Sequence, residues 1–205
     1  MSKIFITGIS TEVGKTLVSA IVTEALHADY WKPIQAGELD DSDTHKVQRL
    51  ISNKKTTFYK NSYALHTPMS PHAAAEIDGV EVDLNNIKVP ETINHLVIEG
   101  AGGLLVPINK INTILDIIQP DYKVIVVSRH YLGSINHSLL TIKLLQEKGF
   151  EVAVIFSGNE HPTTESVIQK MTGVKVIGRV NEEPVIDKFV IKKYADLFRK
   201  ELENL

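Results

Sequence analysis

The chain has 205 residues, a length that suits one α/β domain burying about 70% of the surface its unfolded form exposes. Its 22 basic and 25 acidic side chains leave a net charge of -3, without the basic footprint of a nucleic-acid binder. The absence of cysteine excludes disulfides, thiolate metal sites and a cysteine nucleophile and fits a reducing compartment; with no apolar run of transmembrane length and no signal-peptide flanks, a soluble, cytoplasmic protein that binds neither membrane nor nucleic acid is expected.

In chain order, Lys3-Ile4-Phe5-Ile6-Thr7 is a short apolar run suited to a strand, and Leu17 to His27 is amphipathic at helical spacing. Between them lies Gly8-Ile9-Ser10-Thr11-Glu12-Val13-Gly14-Lys15-Thr16, a strand-to-helix corner. Backbone N–H groups in such a turn and the positive end of the helix attract phosphate; Lys15 adds a point charge, and the Thr16 hydroxyl can ligate Mg2+. Five residues separate Gly8 from Gly14, one more than in the common P-loop. A turn that merely connects is the alternative, but Gly14-Lys15-Thr16 in strand–loop–helix context is specific, and a nucleoside triphosphate is the expected ligand.

The next strand, Tyr30–Ile34, carries Lys32-Pro33 near its end. Lys32 is either a solvated charge or a side chain turned into the crevice at the strand ends, with Pro33 stiffening the chain beside it. Asp40-Asp41-Ser42-Asp43 precedes a helical run, Thr44–Ile51. Read alone it is an N-cap with acids complementing the helix dipole; beside Thr16 and Glu99, Asp43 becomes one of three oxygen ligands for Mg2+. From Asn53 to Pro90 the pattern is broken by Thr-Pro, Ser-Pro and Asp-Gly, which predicts loops and short elements over the sheet edge. His72, in Ser70-Pro71-His72, is either a solvated loop histidine or a substrate contact.

The strand His95–Glu99 ends in an acid followed by Gly100-Ala101-Gly102-Gly103. Glu99 stands where P-loop proteins keep a carboxylate for Mg2+, and small residues after it let backbone approach a ligand; the bland alternative is a strand-end acid beside an ordinary turn. After Lys123–Ser128, Gly133-Ser134-Ile135-Asn136 opens a helix over Ser134–Lys148, with Ile135, Leu139, Ile142 and Leu145 on one face and Gly149 as C-cap. Its free N–H groups can hold an anion, as those of any helix start can. Strands at Val152–Phe156, followed by Asn159, and at Lys175–Ile177 come next, and a last helix has Val190, Tyr194, Leu197, Phe198 and Leu202 on its stripe. No histidine spacing suggests zinc. The alternation of strand and helix predicts an α/β fold: one domain over residues 1–205, of the P-loop NTPase three-layer type, with a mostly parallel sheet covered by helices on both faces.

The motifs Gly8–Thr16, Lys32-Pro33, Ser42-Asp43, Ser70-Pro71-His72, Glu99–Gly103 and Leu132-Gly133-Ser134-Ile135-Asn136-His137 together resemble the dethiobiotin synthetase family. The five-residue gap containing Thr-x-Val-Gly-Lys-Thr is itself characteristic of that family, as are Glu-Gly-Ala-Gly-Gly and Gly-x-Ile-Asn-His. The resemblance implies ATP as co-substrate, with Glu12, Val13, Gly14, Lys15, Thr16 and Leu17, and then Glu99, Gly100, Ala101 and Gly102, lining the nucleotide. It implies Mg2+ held by Thr16, Asp43 and Glu99. Lys32 matches the family's catalytic lysine, Lys15 serves phosphate and carbamate, and Thr11 holds the reacting end of 7,8-diaminononanoate, which takes up CO2. It also implies a homodimer in which the partner's Gly133–Asn136 helix start, with Gly133 and Asn136 as contacts, receives the substrate carboxylate. Two departures stand out. Ala36 occupies a substrate-binding position where the family often has serine, leaving backbone or Gln35 to make that contact, and Ser157-Gly158 intervene before Asn159, the match for an adenine-reading asparagine. A regulatory or partitioning P-loop ATPase is the alternative class; such proteins typically have a second lysine early in the loop, and Ile9 to Val13 contain none. An amide-forming synthetase acting on a cofactor precursor would share the loop and Lys32 and differ in substrate.

Overall fold

A computed structural model describes residues 1–205. Its strands are β1 Lys3–Gly8, β2 Asp29–Trp31, β3 Ile34–Ala36, β4 Phe58–Tyr59, β5 Tyr63–Leu65, β6 Leu96–Gly103, β7 Lys123–Arg129, β8 Glu151–Ser157 and β9 Lys175–Val180. Its helices are α1 Lys15–Leu26, α2 Asp43–Leu50, α3 Pro71–Asp78, α4 Ser134–Glu147, α5 Pro162–Thr172 and α6 Lys188–Glu203. Seven strands form one parallel sheet in the order β4-β2-β6-β1-β7-β8-β9; β3 and β5 pair in parallel as a separate small sheet.

From the central β1 the chain leaves through α1 toward β2 on one side, and β7-α4-β8-α5-β9 steps away on the other. Right-handed crossovers in opposite directions put their helices on opposite faces. Accordingly α1 packs against α6, and α4 against α5. Covered on both faces, the inner strands read as unbroken apolar runs: Ile4–Ile6, Val124–Val127 and Ala153–Phe156 are buried in one continuous cluster. The strand order reverses at β1, and the crevice there, outside the carboxyl ends of β1 and β6, is where an open sheet of this kind takes its ligand. No helix is long and apolar enough to cross a membrane.

Three sequence expectations change, and the short elements expected between Asn53 and Pro90 are present. The single strand Tyr30–Ile34 is two: β2 stays in the main sheet, while β3 turns off beyond Pro33, whose carbonyl accepts the N–H groups of Ser62 and Tyr63 in the small sheet. Proline cannot donate to a ladder, which makes this the place for the change of sheet. The irregular stretch holds β4, β5 and α3, too short for periodicity to reveal. On α4 the buried positions are Ser134, Ser138, Ile142 and Leu145. The Ser138 hydroxyl meets that of Ser128 on β7 at 2.8 Å and donates to the Ser134 carbonyl at 2.7 Å, so small polar residues seat the helix and Ile135 turns outward. On α6, Ile191 and Ala195 replace Val190 and Leu197 in the buried set.

Candidate active site

The site begins with the loop between β1 and α1. A Cβ at position 8 would stand 2.6 Å from Val13 Cγ2 and 2.8 Å from the Ser10 carbonyl oxygen, so only glycine lets the loop close over Val13. Gly14 caps α1 with φ 96°, a left-handed value that glycine adopts without steric cost. Glu12 takes φ 56°, and Arg129, at the end of β7, donates to its carbonyl at 3.3 Å. These backbone turns aim the loop's amides at the crevice. Lys15 is buried and donates to the Ser10 carbonyl at 3.0 Å. Burial, and then the nearby Lys32 charge, bring its pKa down to about 8.

Beneath Lys15 lies a compact charge cluster. The Lys32 ammonium is 2.6 Å from Asp43 Oδ2 and 3.1 Å from Glu99 Oε1, and it donates to the Gly100 carbonyl at 3.2 Å. The Thr16 hydroxyl donates to the same Glu99 Oε1 at 2.9 Å. Lys32 and Glu99 are 4% and 0% exposed, Asp43 20%, so water screens these charges little. Burial alone would lower the Lys32 pKa; Glu99 and Asp43 outweigh it and hold the ammonium above its usual value. Burial opposes the Asp43 carboxylate, but the Lys32 charge and hydrogen bond win and its pKa falls. Asp43 is both the first residue of α2 and a wall of the cleft, so its N-terminal and metal-site readings coexist. The Gln35 side chain accepts its N–H at 3.2 Å and donates to the Gly37 carbonyl at 3.0 Å.

A cleft of about 750 Å³ gathers most of the expected residues: Thr11, Glu12, Gly14, Lys15, Thr16 and Leu17 from the loop and α1, Lys32, Ala36 and Asp43 from the β2–α2 segment, and Glu99, Ala101 and Gly102 from β6. Val13 is buried below the loop and does not line the cleft. Gly100 faces away, since a Cβ there would meet Phe5 at 3.1 Å; its carbonyl is what reaches Lys32. Gln35 lines the cleft beside Ala36. His72 lies outside this cleft, although Ser70 and Pro71 line it. A second groove of about 850 Å³ is lined by Asn136 and shares Thr11 and Val106 with the first. Gly133 caps α4 with φ 100°. Asn159 is exposed and lines neither space. Sequence reasoning passed over Tyr30, which donates to Glu99 Oε2 at 2.8 Å, and Arg129. Tyr30 stands two residues before Lys32, and both side chains reach Glu99.

A parallel sheet whose central strand runs through a Gly-Lys-Thr loop into a helix, with the neighbouring strand's carboxylate on the loop threonine, defines a nucleotide-binding protein of the P-loop α/β class. A family model described as an AAA domain matches residues 2–189. An ATP-dependent dethiobiotin synthetase of Christiangramia forsetii is 63% identical, covering 97% of this chain and 96% of the relative. Those of Cytophaga hutchinsonii and Novosphingobium aromaticivorans are 48% and 42% identical, covering 95% and 98% of this chain and 96% and 98% of the relatives. The chain belongs to the dethiobiotin synthetase family. Solved structures of a ParA family ATPase from Chlorobium tepidum (TM-score 0.60, 10% identity, all of both chains) and of MinD from Aquifex aeolicus (TM-score 0.62, 15% identity, all of this chain and 98% of that one) share the fold.

Proposed function

We propose that the chain carboxylates 7,8-diaminononanoate and closes the ring to dethiobiotin, using CO2 and ATP, in the cytoplasm. The observation that supports this reading is the cluster of Lys32, Asp43, Glu99 and Thr16 in the same cleft as Lys15: two ammonium groups near one another suit an anionic carbamate that must meet a phosphoryl group. One amine of the substrate adds to CO2 and releases a proton; the carbamate formed is held by Lys32 and Lys15 at the Thr11 end of the cleft. A carbamate oxygen then attacks the γ-phosphorus and ADP departs, leaving a carbamic-phosphoric anhydride. The second amine attacks its carbonyl carbon, phosphate leaves, and the ureido ring is closed. Little covalent work falls to the protein; positioning and charge carry the rate.

The Asp43 and Glu99 carboxylates meet at a cation, the Lys32 ammonium, and the Thr16 hydroxyl stands on Glu99 Oε1 beside it; three hard oxygens so grouped are a donor set that fits Mg2+. When bound, the metal neutralises charge developing between the terminal phosphates. A homodimer accounts for the second groove: Leu105 and Leu140, 59% and 63% exposed, line it beside Asn136, an apolar wall that a second copy would cover while its α4 start meets the substrate carboxylate. The test is incubation with Mg-ATP, bicarbonate and 7,8-diaminononanoate followed by mass detection of dethiobiotin. Lys32→Ala is expected to lose product and keep nucleotide binding; normal product formation by that variant removes the role given to Lys32.

A further inference from the structure

Glu99 has two buried oxygens with different company. Oε1 receives the Thr16 hydroxyl and the Lys32 ammonium, both from residues that line the cleft, whereas Oε2 receives only the Tyr30 hydroxyl at 2.8 Å. Tyr30 is fully buried on β2, paired in register with Val97 of β6, and its ring lies 5.8 Å from that of Phe58. The hydroxyl has no other hydrogen-bond partner, so the contact is fixed by two neighbouring strands. A glutamate's terminal torsion is broad and roughly two-fold; without a donor on Oε2 the carboxylate can turn, and a buried anionic oxygen is left unsatisfied. Trp31, the intervening residue, faces away and donates to the Lys60 carbonyl.

We propose that Tyr30 is a positioning residue that clamps Glu99 Oε2, presenting Oε1 alone to the metal. This rests on the reading of Glu99 as an Mg2+ ligand. A tyrosine that only filled space would change stability equally with and without metal; the clamp predicts an effect confined to the metal-dependent part of binding.

The experiment measures, by calorimetry, the affinity for a non-hydrolysable ATP analogue with excess Mg2+ and with EDTA. The ratio of the two reports what the metal adds. Tyr30→Phe is expected to lower this ratio about tenfold, the loss of a hydrogen bond to a charged acceptor, with affinity in EDTA unchanged. Glu99→Gln lowers the ratio too, and the double variant is expected to be no worse than Glu99→Gln, since Tyr30 acts through that carboxylate. Should Tyr30→Phe fail to fold, Tyr30→Leu, which also lacks the hydroxyl, carries the same expectation. An unchanged ratio in a folded Tyr30 variant, or additive losses in the double variant, overturns the clamp while leaving the metal reading in place. A wild-type ratio of one overturns both.

Discussion

Replacing Lys32 with methionine keeps the length of the side chain and removes its charge. The ammonium stands 2.6 Å from Asp43 and 3.1 Å from Glu99, so the variant leaves two carboxylates facing one another in a nearly dry pocket. Removing one partner of a buried ion pair costs about 3–5 kcal/mol; because Asp43 keeps 20% exposure and can shed part of the strain by taking up a proton, the lower end, about 3 kcal/mol, applies. For a chain of this length that corresponds to a fall in Tm of about 6–12 °C. Urea unfolding at pH 7.5 measures the loss directly. Two further signatures separate this account from a general packing defect. Added Mg2+ restores stability in Lys32→Met, since the dication replaces the missing ammonium, and the deficit shrinks as pH falls toward 5, because protonation removes the repulsion. In the wild type the sign is reversed: the depressed Asp43 pKa supplies stability above the unfolded carboxylate pKa and loses it as pH falls through the folded one. A loss below about 1 kcal/mol, with no response to Mg2+, would refute the argument that Lys32 neutralises the pair.

Lys15, with its pKa lowered to about 8, is half charged at that pH and becomes fully charged against a triphosphate. Nucleotide binding at pH 8 is therefore expected to take up about half a proton, read from calorimetry in buffers of different ionisation enthalpy, and affinity should decline as pH rises beyond 8; no uptake at pH 8 discards the assignment. Without ligand the sign is a cost: the charged lysine lowers stability below pH 8, and the cost is relieved between 8 and the ordinary 10.5. Leu140→Asp places a charge on the apolar wall of the second groove and is expected to weaken dimerisation about a hundredfold, with fold retained because the residue is 63% exposed. Sedimentation velocity over a dilution series decides it, and equal association of variant and wild type would remove this face from the interface.

The phosphate loop and the sheet were legible because their signals are local. Gly8, Gly14 and Lys15 act through backbone shape and one charge, and unbroken apolar runs such as Val124–Val127 report burial on both faces. Lys32 and Asp43 were legible as candidates but not as partners, because the contact joins the turn between β2 and β3 to the first residue of α2, with β3 intervening. Tyr30 was hidden by its own apolarity: a tyrosine in a buried strand reads as core until the strand beside it is known to carry Glu99. The swap of Ile135 for Ser134 and Ser138 on the buried face of α4 escaped for a related reason. Hydrophobic periodicity finds the greasiest stripe, and here the stripe that meets β7 is the smallest. Lys15→Gln or any change to the loop glycines tests what sequence already said; Tyr30, Arg129 and the two grooves meeting at Thr11 needed three dimensions.

The turn at Pro33 divides labour between two sheets. Thr16 and Glu99 hang on the large sheet, whose architecture recurs in the ParA and MinD structures at 10% and 15% identity, whereas Gln35 and Ala36 ride on the two-stranded β3–β5 unit. Ala36 lines the cleft from that unit, while Gln35 accepts the Asp43 N–H and so ties it to the Lys32 cluster. On the proposed assignment of that end of the cleft to the acceptor, the small sheet, with Gln35 held fixed, is the place where a library aimed at new acceptors should concentrate its diversity.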